Sequence, residues 1–168
     1  MEQKEHENDI VQDAYYLISL FNKDGKEVTQ LQVQKIMYFF EAYFMCVKNK
    51  EKLYDCNFNA WAFGPVSIPL YQDLKKFGDA NIVLNAEQLE FSKKITDDKK
   101  KMLEYIYTVF GDIPAMSLVQ LTHRKDSPWY SKWKENNEKV VYGSGSYISK
   151  EQTKKWFRDI FLGGRKQE

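Results

Sequence analysis

Phe58-Asn-Ala-Trp-Ala-Phe-Gly-Pro-Val-Ser-Ile-Pro-Leu-Tyr71 is the stretch on which the reading of this chain turns. Phe58, Ala60 and Ala62 alternate with Asn57, Asn59, Trp61 and Phe63, which is the period of a short strand. Gly64-Pro65 then reads as a corner, because glycine tolerates unusual φ and proline fixes its own. Beyond it, Leu70, Leu74 and Phe77 space as one face of a short helix, and Gly78 suits the position after its end. The stretch holds no His, Cys, Asp, Glu or Lys. Its own chemistry is that of scaffold or recognition surface, not of a reaction centre.

The flanking sequence is helical in pattern. Upstream, Ile10, Ala14, Leu17, Ile18 and Phe21 form one apolar face, ended by Asn22-Lys-Asp-Gly25. Residues 1–8, His6 among them, are charged and read as frayed. Thr29 is placed to cap a second helix running from Leu31 to Val47. That helix is apolar around most of its circumference and is expected at the centre of the fold. Lys35 and Glu41 interrupt it and read as a solvated stripe, with a functional role for Lys35 as the alternative.

Downstream, residues 79–92 are ambiguous. Ile82-Val83-Leu84 suits a brief strand and Ala86 to Phe91 a helical turn. Thr96 precedes Asp97 and Asp98, a cap followed by acids at the positive end of a helix that reaches Gly111. Pro114 restarts a helix through Leu121, and Ser127-Pro128-Trp129 reads as cap, first-turn proline and helix. Residues 136–145 are rich in turn formers. Ser149 caps a last helix carrying Trp156, Phe157, Ile160 and Phe161, which Gly163-Gly164 ends; the final residues read as disordered. The sum is a mainly α protein of about six or seven helices with a small strand or hairpin near residues 54–63. It reads as a single domain over residues 1–168, ordered from about 9 to 162.

The 25 basic and 24 acidic residues leave a net charge of +1, which argues against a protein that grips nucleic-acid phosphates. Eleven Tyr, eleven Phe and four Trp suit cores and interfaces alike and permit a homodimer. Cys46 and Cys56 make no disulfide framework. The start of the chain has no apolar leader, and no run approaches the ~20 apolar residues of a membrane span. The expected location is the cytoplasm.

Catalytic patterns are sparse. The two Cys and His123 lack the close paired spacing of zinc ligands, so no metal is expected. No glycine-rich phosphate loop is present, and no cofactor is expected. Gly143-Ser-Gly145 reads as a turn and Asp97-Asp98 as a helix start. A hydrolase using His123 with Cys56 or an acid such as Asp126 has the residue types but nothing in the spacing that joins them. The structural alternative for His123 is a helix-terminal imidazole that bonds carbonyls or caps the dipole.

Two blocks carry a resemblance. The first is Leu31-Gln-Val-Gln-Lys-Ile-Met-Tyr-Phe39 running on to Tyr43, then Phe58-Asn-Ala-Trp61, Phe63-Gly-Pro-Val66 and Pro69-Leu-Tyr71; the second is Leu121-Thr-His123 and Ser127-Pro-Trp129. In this order they resemble the Panacea domain of the SocA-like antitoxin family, which includes phage-associated GepA-type proteins. The resembling span is about residues 10–161. The resemblance implies an antitoxin of a type II toxin–antitoxin system that neutralises a cognate protein toxin by binding it. Toxins paired with the family are varied and include alarmone-synthetase-like translation inhibitors, and one branch acts as an adaptor that delivers its toxin to ClpXP. It implies no catalytic residues. Lys35, Tyr43, Trp61, Gly64, Pro65, Tyr71, His123, Ser127, Pro128 and Trp129 are carried over as motif or binding positions only. Trp61 and Tyr71 are expected to pack on each other or to face a partner, and Trp129 to lie beside His123. The partner-specific surface is expected in residues 79–98 or 136–148.

Overall fold

Ten consecutive residues of one helix, Val33 to Ala42, are buried. In the computed structural model, which describes residues 2–163, this helix, α2 (Gln30–Lys48), is the axis around which the rest is wrapped. Before it comes α1 (Glu2–Lys23); after it come strands β1 (Phe58–Trp61) and β2 (Gly64–Ser67). The remaining helices are α3 (Ile68–Leu74), α4 (Ala86–Ser92), α5 (Asp97–Phe110), α6 (Ala115–Thr122), α7 (Pro128–Glu135) and α8 (Lys150–Phe161). The protein is therefore mainly helical with one small antiparallel hairpin, as its periodicity indicates. Helix α1 begins at Glu2 rather than near Asp9. Residues Gly164 to Glu168, read from sequence as a disordered tail, lie outside the described residues.

Helix α2 contacts α1, α3, α5, α6, α8 and β2, which explains apolar side chains on every side. Phe39 is the hub: its ring stacks on Phe110 of α5 at 4.6 Å and meets Phe161 of α8 edge-on at 5.5 Å. Lys35 and Glu41 are not a solvated stripe. Both are buried, because each carries its charge to a specific polar partner within the fold. Glu41 accepts from the backbone N–H groups of Leu53 and Tyr54 at 3.0 and 2.9 Å and from Lys150 Nζ at 2.7 Å. It thus fixes both the chain leaving α2 and the first turn of α8. Asp13 of α1 is similarly buried, held by Tyr54 Oη at 2.6 Å and Lys99 Nζ at 3.1 Å.

The hairpin pairs Phe58 with Ser67 and Trp61 with Gly64, so Ala62 and Phe63 make the turn. Gly64-Pro65 is accordingly not a corner between strand and helix but the start of β2. The small strand or hairpin read near residues 54–63 places only four residues, Phe58–Trp61, in its first strand, because Glu41, not a strand, takes the amides of Leu53 and Tyr54. Residues 147–148 cover the outer side of β1, with Ile148 N–H donating to Phe58 O at 2.9 Å. Ile82-Val83-Leu84 forms no strand. Its backbone is held by Val28 O, which accepts from Ile82 at 2.9 Å, and by the Asn22 amide, which bonds Ile82 O and Leu84 N. The following segment is a full helix, α4, closed by an Asn85–Gln88 capping box.

Candidate functional site

The motif positions converge on the hairpin. A two-stranded hairpin leaves edge carbonyls and amides unpaired, and here side chains from the helices satisfy them. Gln34 does so as a miniature strand: its amide nitrogen donates to Ser67 O at 3.0 Å and its amide oxygen accepts from Ser67 N at 2.9 Å. Lys35, one residue on, donates from Nζ to Pro65 O at 2.9 Å. Trp129 of α7 donates its indole N–H to Trp61 O at 2.8 Å.

Gly64 sits where these helices meet. Its φ of +104° favours glycine. A Cβ there would lie 2.7 Å from Thr122 Oγ1 and 2.8 Å from Lys35 Cε. The second block is built around the same point. Ser127 Oγ donates to Thr122 O at 2.7 Å and accepts from Tyr130 N at 3.0 Å, which caps α7 at Pro128. This holds the His123 ring flat on Trp129, with centroids 3.7 Å apart and planes at 6°. Trp129 stacks in turn on Trp133 at 5.5 Å.

The electrostatics follow from burial. Lys35 has no exposed surface, and no carboxylate among the described residues pairs with it. Desolvation lowers its pKa to about 7. Burial also pulls the His123 imidazole below its ordinary value, helped by the Lys35 charge. Its Nε2 is buried with no hydrogen-bond partner, so this nitrogen bonds no carbonyl; stacking is what positions the ring.

On its other side the hairpin borders an open groove of about 390 Å³. Trp61 meets Tyr71 edge-on at 5.3 Å and Tyr142 at 6.3 Å. Trp61 and Tyr71 line the groove together with Lys35, Val66, Asp79 and Val140, whereas Tyr142 reaches it only through its contact with Trp61. The eight positions Lys35, Trp61, Gly64, Pro65, His123, Ser127, Pro128 and Trp129 thus form one cluster, with Tyr71 attached through Trp61. Tyr43 does not join it; its ring stacks on Tyr105 of α5 at 5.1 Å. Gln34, Thr122 and Tyr142 belong to the site but were not singled out from sequence. The first two fall within the motif blocks quoted above, beside Lys35 and His123, and Tyr142 within residues 136–148, where partner contacts are expected.

No described hydrogen bond joins Cys56, His123 and Asp126. Cys56 Sγ lies 3.8 Å from Ser67 Oγ, and burial pushes its thiol up, away from the thiolate a nucleophile needs. Asp126 accepts from Arg124 and from the Trp156 indole at 3.1 Å. Among the described residues, no group of three or more His, Cys, Asp or Glu is placed to hold a metal. No helix among them is long and apolar enough to cross a membrane.

These features define a helical domain that clamps a hairpin and presents an aromatic groove beside it. The profile of the family described as "Antitoxin SocA-like, Panacea domain" matches residues 33–130, more than half of the chain. The chain belongs to this family. Antitoxin SocA of Caulobacter vibrioides (strain NA1000 / CB15N) is 26% identical over 110 residues, covering 61% of this chain and 58% of that protein. The chain thus spans little more than half the length of this curated relative. No solved structure matches it.

Proposed function

We propose that this chain is the antitoxin of a type II toxin–antitoxin pair and that it neutralises a cognate protein toxin by direct contact, without catalysis. The observation that carries this reading is the family match over residues 33–130, the span that builds the hairpin clamp and most of the groove. The clamp's principal donors support a scaffold role, since Gln34, Lys35 and Trp129 all bond backbone carbonyls of the hairpin. What they hold rigid is a set of aromatic rings facing solvent, the residue class that dominates protein interfaces. The chain acts as one domain, in the cytoplasm.

Co-expression with the product of the adjacent gene tests the reading. The neighbour alone should arrest growth, this chain should restore it, and the two should co-purify. A harmless neighbour, or toxicity unrelieved at good expression, removes the proposal. Rescue that requires ClpXP, with the toxin level falling, would instead mark delivery to the protease.

A further inference from the structure

The groove beside the hairpin carries two features that favour the same sign of charge in an occupant. The first is aromatic. Trp61 and Tyr71 line it with their planes at 71°, and Phe63, 58% exposed at the hairpin turn, lines it beside them. The face of an aromatic ring is the negative pole of its quadrupole and attracts a cation. The second is Asp79. It lines the groove, it is exposed, and among the described residues no group bonds its carboxylate.

The acid is held in place by its neighbours. Gln30 Nε2 donates to Gly78 O at 2.9 Å, and Asn81 Oδ1 accepts from Val28 N at 2.7 Å, so the chain is pinned on both sides of Asp79. Gln30 also lines the groove, and its amide oxygen remains as a second acceptor there. Lys35 does not reverse the sign. It is wholly buried, its Nζ is bonded to the Pro65 carbonyl and burial lowers its pKa to about 7, so it offers an occupant no contact and sheds its proton readily.

The rest of the wall is apolar, with Leu31, Val66 and Val140. An apolar stem with a cationic head suits such a wall with an acid on it. Of the two long cationic side chains, arginine has the planar, weakly hydrated head that stacks on rings and forks onto a carboxylate. The concave space of about 390 Å³ admits one such side chain with its neighbours. Exposed aromatic surface continues beyond it through Tyr142, 79% exposed and 6.3 Å from Trp61, an extent that fits a protein partner and not an isolated small molecule.

We propose that this groove is the toxin-docking site and that its occupant is an arginine side chain of the toxin, stacked against the Trp61 and Tyr71 rings with its guanidinium paired to Asp79. The inference rests on the antitoxin reading above.

The test uses the purified product of the adjacent gene as probe, with binding to the full chain measured by calorimetry and growth rescue scored in parallel. Phe63→Lys removes a ring and adds a cation to the rim, and it should abolish binding and rescue. Val47→Ser, exposed at the far end of α2, leaves both as in the wild type. Asp79→Asn should weaken binding about fivefold, the upper range for an exposed ion pair. In the probe, each arginine is changed singly to glutamine. One such change should weaken binding to the wild-type chain about tenfold, because stacking is lost with the ion pair. Against Asp79→Asn the same change should cost only about twofold, since the pair is already broken. Undiminished binding and rescue by Phe63→Lys would overturn the docking site and leave the antitoxin reading standing. Wild-type affinity in Asp79→Asn, or no arginine whose replacement couples to it, overturns the arginine. Failure of the wild-type chain to bind the probe or to rescue growth overturns both.

Discussion

Lys35 shows how far a single residue can depart from what its type suggests. A lysine in an apolar helix reads as exposed, yet this one is spent on the carbonyl of Pro65, thirty residues away. The consequence is a pH dependence whose sign is fixed. Its pKa is about 7 folded and 10.5 in the unfolded reference. Between these values the unfolded chain binds more protons, so the Lys35 contribution to stability rises with pH. Above about pH 9 the Cys46 and Cys56 thiols and the buried Tyr38 and Tyr54 hydroxyls, all shifted upward by burial, oppose the rise. Urea unfolding should therefore show wild-type stability climbing from pH 7 to 9 and a flatter profile for Lys35→Met. Equal slopes would mean that Lys35 is not buried as a titrating ammonium. Gly64 gives a second test at this scale. Alanine there must adopt φ of +104° and meet Thr122 and Lys35 below 3 Å, so Gly64→Ala should cost about 3 kcal/mol or more. Gly78→Ala also meets a positive φ in open space, but its φ of 56° with ψ of −130° lies outside the left-handed helical region, so backbone strain alone should cost about 1–3 kcal/mol. Thermal melts of the two variants side by side separate crowding from backbone strain.

At the scale of elements, the helices and a small β element near residues 54–63 were legible and the second strand was not, for physical reasons. Helix starts are written locally: Thr96, Ser127 and Ser149 each accept the amide three residues on, and each was read as a cap from sequence. The second strand is written non-locally. Gly-Pro is a poor strand opening by propensity, and β2 holds because Gln34 and Lys35 supply partners that a neighbouring strand would otherwise provide. The same non-locality hid the site. Its motif positions could be named, but the meeting of Thr122, Gly64 and Lys35 at one point depends on how α2 and α6 pack on β2. Trp129→Phe probes the element directly. Phenylalanine keeps an aromatic ring against His123 but leaves Trp61 O without its indole donor. The expected loss is about 1 kcal/mol, that of one hydrogen bond to a part-buried carbonyl, read from the denaturation midpoint. A change within error would show that water replaces the indole at that carbonyl.

For the whole molecule, the family match and the folding unit have different limits. The match covers residues 33–130, yet the core does not stop there. Phe157 and Phe161 of α8 close around Phe39 together with Trp156. Lys150 pairs with the buried Glu41 carboxylate at 2.7 Å. From the other end, α1 buries Ile10, Ala14, Leu17, Ile18 and Phe21 in the same apolar cluster. A fragment of residues 33–130 would expose Phe39 and leave Glu41 without its lysine, and losing either a large core contact or one partner of a buried ion pair costs about 3–5 kcal/mol. Marginal stability of ~5–15 kcal/mol does not survive several such losses. The fragment should thus retain helical far-ultraviolet dichroism at most, with no near-ultraviolet signal from its aromatic residues and no cooperative melt. Residues 2–163 should give one sharp transition. Were the fragment to melt sharply, α1 and α8 would be coverings added to a smaller unit, and the aromatic packing around Phe39 would have to re-form without them.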